Sequence, residues 1–234
     1  MIVPEIRARL QKLGTKEKAK VSRRFFKTGP GEYGEGDIFI GVTVPELRRL
    51  AREYQAITLT ETTRLLRSAI HEERLLALLI LCRTYARGDG HDQKRIYELY
   101  LKNTRHVNNW DLVDASAEHI VGAFLLNKGK KPLYVLARSN DLWERRIAIM
   151  ATFHFIKRKA FAETFKIARI LLSDTEDLIH KAVGWMLREV GKRSLLSEER
   201  FLQEHYKKMP RTMLRYAIER FPESKRQRYL KGEI

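Results

Sequence analysis

Asn108-Asn109-Trp110-Asp111-Leu112-Val113-Asp114, continuing as Ala115-Ser116-Ala117-Glu118-His119-Ile120-Val121, reads as a helix start that carries chemistry. Asn108 or Asn109 suits the cap, because an asparagine side chain accepts from the free amides of a first turn. Asp111 falls in that turn, where its charge complements the positive end of the helix dipole. Trp110 and Asp114 are four residues apart, so an indole and a carboxylate share one helix face, where together they can hold a cation. The alternative is a buried tryptophan beside a surface aspartate.

Similar helix beginnings recur outward from this segment, at 72–77, 143–148, 176–183 and 211–217. With Ala77, Leu112, Ala148, Val183 and Ala217 taken as equivalent small or apolar positions, the spacings are 35, 36, 35 and 34. Such a period accommodates two helices and two turns and predicts an all-α chain, an α-solenoid of helical hairpins with one concave face. Counted from these markers, Trp110, Arg146, Lys181 and Arg215 lie at minus two, while Asp114 and Trp185 lie at plus two. Helices stacked in parallel would align these residues as one strip of tryptophans, a carboxylate and cations.

Prolines occur only at 4, 30, 45, 132, 210 and 222, which leaves 46–131 and 133–209 free of the strongest helix breaker. Apolar spacing places helices at 5–13, 16–27, 46–54, 60–69, 72–86 and 93–102, with a short extended piece at 38–42. The 234 residues, 44% of them apolar, suit a single repeat domain, 1–234, with a glycine-rich loop at 28–37 near the amino terminus.

Lysine and arginine total 46 against 29 acidic residues, a net charge of +17 that favours a polyanionic partner, nucleic acid before an anionic membrane. Basic clusters at Lys128-Gly129-Lys130-Lys131, Lys157-Arg158-Lys159, Lys207-Lys208 and Lys225-Arg226 fall near helix ends and turns, where they suit phosphates. The longest apolar run, 75–82, is too short to cross a bilayer, and 1–13 is charged throughout, so neither a transmembrane helix nor a secretory signal is expected. The single cysteine, Cys82, sits among leucines and fits a reducing cytoplasm and a packing role.

Gly29, Gly31 and Gly34 match G-x-G-x-x-G in form only. No strand precedes them, Pro30 occupies the turn, and Glu32, Glu35 and Asp37 would repel a pyrophosphate. His71-Glu72-Glu73 lacks a second histidine four residues on, and no metal or cofactor is expected. His119 and His180 fit helix-surface or partly buried positions better than catalytic ones, and Trp143, beside Leu142, fits packing between repeats.

Asn109-Trp110-Asp111-Leu112-Val113-Asp114, Leu142-Trp143-Glu144-Arg145-Arg146 and Lys181-Ala182-Val183-Gly184-Trp185-Met186-Leu187-Arg188-Glu189 together resemble the AlkD family of DNA alkylation repair proteins. The likeness runs from about Phe39 to the carboxyl end, with the motifs in family order. It implies HEAT-like antiparallel helix pairs with a concave DNA-binding face. The implied activity is hydrolysis of the N-glycosidic bond of cationic N3- or N7-alkylated purines in duplex DNA, with the nucleotide held without burying the base. The residues that carry over are Trp110, Asp114, Arg146 and Trp185.

Asp114 would stabilise the developing sugar cation and position water, the two tryptophans would face that cation, and Arg146 would grip a phosphate. Lys130, Lys131, Lys157, Arg158, Lys159, Lys181, Arg188 and Arg215 are the expected DNA-binding cations. A monomer acting on double-stranded, alkylated DNA follows, cytoplasmic and nucleoid-associated if bacterial, with no membrane partner. The connection 25–37 is longer and richer in glycine than in the simplest glycosylases of the family. It resembles relatives with an added element that bind damaged or branched DNA without excising bases. A HEAT-like protein scaffold is the third reading.

Overall fold

Threonine, aspartate, asparagine and serine side chains start many of the helices. In the computed structural model, which describes residues 2–234, Thr15 accepts from the Lys18 amide, Asp89 from His91 and Asp92, Asp141 from Trp143, and Ser194 from Ser197. Thr58 and Glu61 cap one another reciprocally, Thr58 Oγ1 accepting from Glu61 N at 3.2 Å and Glu61 Oε2 from Thr58 N at 3.1 Å. No strand forms among the described residues, and the extended piece expected at 38–42 contributes one isolated parallel bridge, Ile38 with Ile70.

The chain forms two compact units, one ending at Ile120 and one beginning at Val121. The first holds α1 (Val3–Leu13), α2 (Lys16–Phe25), α3 (Val44–Glu53), α4 (Leu59–Leu66), α5 (His71–Arg87), α6 (Gly90–Lys102) and α7 (Trp110–Asp114). Helix α5 is its axis: α3, α4, α6 and α7 all pack on it. Side chains from Leu75 to Leu78, with Ile80 and Leu81, are buried there, so the longest apolar run is spent on a helix surrounded by others.

The second unit holds α8 (Ala123–Leu125), α9 (Lys131–Leu136), α10 (Leu142–Ala151), α11 (Phe153–Ile156), α12 (Ala162–Ile170), α13 (Asp177–Gly191), α14 (Leu195–His205), α15 (Arg211–Ala217) and α16 (Glu223–Lys231). Here α13 is central, contacting α10, α11, α12, α14 and α15. Gly184 makes the approach to α15 possible. A Cβ there would stand 2.4 Å from the Met213 carbonyl oxygen and 2.5 Å from Tyr216 Cβ.

Within each unit the 34- or 35-residue spacing has its expected structural meaning. Ala77, Leu112, Ala148, Val183 and Ala217 are all buried, at 1% exposure or less. Their helices pack in succession, α5 on α7 in the first unit and α10, α13 and α15 in series in the second. The sequence boundaries err by a few residues where local geometry intervenes. Helix α2 stops at Phe25 and not at 27, because Lys27 takes φ +50°, a left-handed conformation that ends a helix.

Candidate functional site

Asn109 is the cap of α7, fully buried, with Oδ1 accepting from the Trp110 amide at 2.8 Å. Its Nδ2 donates to Asp37 Oδ2 at 3.2 Å, so the cap also ties α7 to the connection between α2 and α3. Trp110 and Asp114 are both half-buried on the short helix that follows. The Trp110 indole lies nearly parallel to the Phe26 ring, 5.3 Å between centroids and 23° between planes, with Phe25 edge-on at 5.7 Å. Phe26 is stacked in turn on Phe39 at 5.0 Å, and Phe39 on the His71 ring at 4.4 Å. Asp114 is close enough to Tyr100 for its charge to add to burial in pushing that phenol above its ordinary pKa.

The first turn of α5 organises this region. His71, Glu72, Glu73 and Arg74 are four consecutive polar residues, all buried, and each fixes a different segment. His71 Nδ1 meets Asp37 Oδ2 at 3.0 Å and its Nε2 meets Asp111 Oδ2 at 2.9 Å. Glu72 accepts from the backbone amides of Ile40, Gly41 and Val42, the closest at 2.7 Å from Gly41. Gly41 has φ +83°, and a Cβ there would strike the Thr15 carbonyl oxygen at 2.2 Å, so the clamped turn requires glycine. Glu73 takes Arg7 at 3.0 Å, and Arg74 binds Asp37 and the carbonyls of Ser68 and Ala69.

Of these residues, Asn109 and Asp111 are legible in the sequence as cap and first turn, whereas Asp37 reads only as part of the glycine connection and the 71–73 run only as an incomplete zinc helix. The signal available was four polar residues running without a break into an apolar run, which places that turn in the interior. The glycine connection is folded on itself: Gly29 N donates to Glu32 Oε2 at 2.8 Å, and Gly31 N to Glu35 Oε2 at 2.9 Å. Amides that would cradle a phosphate are occupied by the loop's own carboxylates.

In the second unit Trp185 is half-buried on α13, its Nε1 3.4 Å from Glu189 Oε1, with Phe153 tilted at 6.1 Å. Glu189 is buried and also accepts from Lys192 and from Arg193 at 2.9 Å. Burial works to raise the Glu189 pKa, but the bonds from Lys192 and Arg193 prevail and hold it below the ordinary value. Lys157 Nζ lies 4.3 Å over the Phe153 ring and Arg193 5.8 Å from it, so cations gather beside Trp185. Arg146 is 5% exposed and donates to the Leu178 carbonyl, where α13 begins.

The expected DNA-binding cations divide by setting. Lys131, Lys157, Arg158, Lys159 and Arg215 are exposed. Lys181 pairs with Asp177 at 2.6 Å, and Arg188 pairs with Glu219. The Lys130 ammonium donates to the carbonyls of Leu126 and Lys128, closing its own turn. His119 is exposed, and His180 donates from Nε2 to the Asp174 carbonyl. Trp143 is buried at the start of α10. Asp89, His91 and Asp92 bring ligand-type atoms within 4.8 Å at the start of α6, where the Asp89 carboxylate serves as a helix cap. No helix among the described residues is long and apolar enough to cross a membrane.

Known proteins place these units in context. The profile of the family described as DNA alkylation repair enzyme matches residues 6–221. Among solved structures, the fold is similar to that of a protein described as a predicted DNA alkylation repair enzyme from Enterococcus faecalis. That likeness has 16% identity and a TM-score of 0.68, covering 90% of this chain and 97% of that one. AlkD2 from Streptococcus mutans is similar at 17% identity and a TM-score of 0.54, covering 89% of this chain and 99% of that one. A third, smu.31 from Streptococcus mutans UA159, has 18% identity and a TM-score of 0.53, covering 74% and 89%. No curated protein matches the chain. Identities this low carry the fold alone, whereas the family match spans all but the ends of the 234 residues: the chain belongs to the DNA alkylation repair enzyme family.

Proposed function

We propose that the protein hydrolyses the N-glycosidic bond of cationic N3- and N7-alkylated purines in double-stranded DNA. The observation that carries this reading is the pair Trp110 and Asp114, one helical turn apart on α7 and both half-buried, with the indole stacked on Phe26. An alkylated purine is already positively charged and leaves readily, so no general acid is required. As the bond opens, positive charge grows on the deoxyribose. A carboxylate stabilises it and orients the attacking water, and an indole face contributes about 0.5–2 kcal/mol to holding the same cation. Trp185 is assigned the same aromatic role by its motif. Arg146 is assigned a phosphate by its motif alone; 5% exposed and donating to the Leu178 carbonyl, it fixes the start of the helix that bears Trp185.

The net charge of +17 and the exposed cations of the second unit support duplex DNA as the partner. The chain is proposed to act as a monomer, in the cytoplasm where DNA is accessible. A non-catalytic relative that binds damaged or branched DNA is the second reading, favoured by the packing of Phe25 and Phe26 over Trp110 from the edge of the long glycine connection.

Release of free N7-methylguanine and N3-methyladenine from methylated duplex DNA separates the two. Wild type is expected to release both, and Asp114→Asn to do so about 10²-fold more slowly, the scale for removing a transition-state electrostatic partner. Tight low-salt binding with no release by wild type would select the second reading. A scaffold that binds only protein would lack the steep fall of DNA affinity with salt that about 6–10 phosphate contacts produce.

A further inference from the structure

Four ionisable groups are bonded to one another where α5 begins. Asp37 and Arg74 are under 10% exposed, His71 is 1% exposed, and the Asp111 side chain is 15% exposed. Both ring nitrogens of His71 face carboxylate oxygens at about hydrogen-bond length, 3.0 Å to Asp37 and 2.9 Å to Asp111. A neutral imidazole has one N–H, so one of these contacts would set a lone pair against a carboxylate. Only the imidazolium donates at both ends. Arg74 takes the other oxygen of Asp37, and two carboxylates then balance two cations, the condition under which ions tolerate burial.

The geometry of this cluster matters because of what it joins. Asp37 lies in the connection that leads from Phe26 to α3, Asp111 lies beside Trp110 in the first turn of α7, and His71 lies between them on α5. Phe26 and Phe39 cover the imidazole, at 5.0 and 4.4 Å between ring centroids, and Phe26 is the ring on which Trp110 rests. We infer that His71, as a buried imidazolium, is a positioning residue for Trp110, fixing the start of α7 against the connection so that the indole holds one orientation on Phe26. The effect on base release rests on the proposed glycosylase reading; the effect on the indole does not.

The charged groups facing His71 are Asp37 from the connection, Asp111 from α7 and Arg74 from its own helix. Burial opposes the imidazolium, and the bonds to Asp111 and Asp37 outweigh it, so the His71 pKa lies above its ordinary value. The sign follows. The clamp is complete below the ordinary histidine pKa of about 6.5 and is lost as pH rises through the elevated value, giving an alkaline limb.

The test uses the 234-residue protein and three variants, His71→Asn, Asp111→Asn and Trp110→Phe. In side-chain nitrogen NMR, the His71 signals, identified by their loss in His71→Asn, are expected to show two protonated ring nitrogens at pH 7. Asp111→Asn keeps an acceptor for Nε2 but removes a charge, so His71 should titrate at lower pH than in wild type. Acrylamide quenching, with the Trp110 share obtained by difference from Trp110→Phe, should rise in His71→Asn and, for wild type, across the same alkaline limb. If wild type releases methylpurines, His71→Asn should lower kcat about 10-fold or more, the scale for a slightly misplaced catalytic group, with DNA affinity changed less than about two-fold, and Asp111→Asn should move the alkaline limb to lower pH.

A singly protonated His71 at pH 7, an unshifted titration in Asp111→Asn, or unchanged Trp110 quenching in His71→Asn would overturn the inference. Absence of base release by wild type would remove the glycosylase reading while leaving the NMR and quenching outcomes to decide the role of His71.

Discussion

Trp110 and Trp185 are held by opposite means. In the first unit the indole rests on an aromatic stack, Phe26 on Phe39 on His71, and the charges behind that stack cancel within a buried cluster. In the second, the indole donates to a carboxylate, Glu189, that also collects Lys192 and Arg193, with Lys157 nearby over Phe153. One setting is apolar at the ring and electrically closed; the other is polar and rich in cations. The first indole is held by an aromatic partner whose neighbouring charges are paired with one another, whereas a buried carboxylate beside the second draws cations to it.

The largest expected effect falls on the backbone support of the second tryptophan. Gly184 precedes Trp185, and the valine side chain of Gly184→Val would meet the Met213 carbonyl and Tyr216, contacts that yield only if α13 and α15 separate. The cost is about 3 kcal/mol, the upper end for overpacking, visible as a lower denaturation midpoint in urea. Phe26→Ala is the counterpart in the first unit. Half-buried, Phe26 should cost about 2 kcal/mol, below the range of a fully buried phenylalanine. Its more telling result is a rise in Trp110 quenching with Trp185 unaffected. Equal changes at both tryptophans would mean that the two settings are not separately supported.

Glu189→Gln should act more gently and with a defined pH dependence. The amide oxygen can still accept from the Trp185 indole, while Lys192 and Arg193 lose their charge partner, at a cost of about 1 kcal/mol. Because Glu189 is held below its ordinary pKa, the contribution of its charge is present above the unfolded value, near 4.3, and is lost as pH falls through the folded one. Wild type and variant should therefore differ in urea midpoint at pH 7 and converge in acid. A difference that persists unchanged into acid would show that the carboxylate charge is not what holds the cluster.

What the sequence made legible follows from periodicity. Ala77, Leu112, Ala148, Val183 and Ala217 could be picked out because core positions of stacked helices recur at fixed spacing, and Asn109 because capping chemistry is local. Trp110 and Asp114 are four residues apart, a spacing that α-helical geometry makes meaningful. The Asp37, His71 and Asp111 cluster escaped because its members stand 34 and 40 residues apart, joined only by the packing of α7 and the connection on α5. Phe26 escaped for the same reason: nothing in 16–27 tells that Lys27 turns left-handed and lets the chain bring that ring onto Trp110.

The smallest effects concern two adjacent lysines that composition alone treats alike. Lys131 is exposed at the start of α9, whereas the Lys130 ammonium is bound by the carbonyls of Leu126 and Lys128 and lies 5.4 Å over the Phe155 ring. A lysine that neutralises a phosphate releases about 0.9 of a counterion, so Lys131→Ala should reduce the slope of log affinity against log salt by about that amount. Lys130→Ala should leave the slope as it is and lower stability by about 0.5–1 kcal/mol through the lost turn bonds. Salt titrations of duplex binding, run beside urea unfolding, read both quantities on the same proteins. If the slopes change equally, Lys130 gives up its carbonyls for DNA, and the cations of the second unit are a pool recruited on binding and not a surface already sorted by the fold.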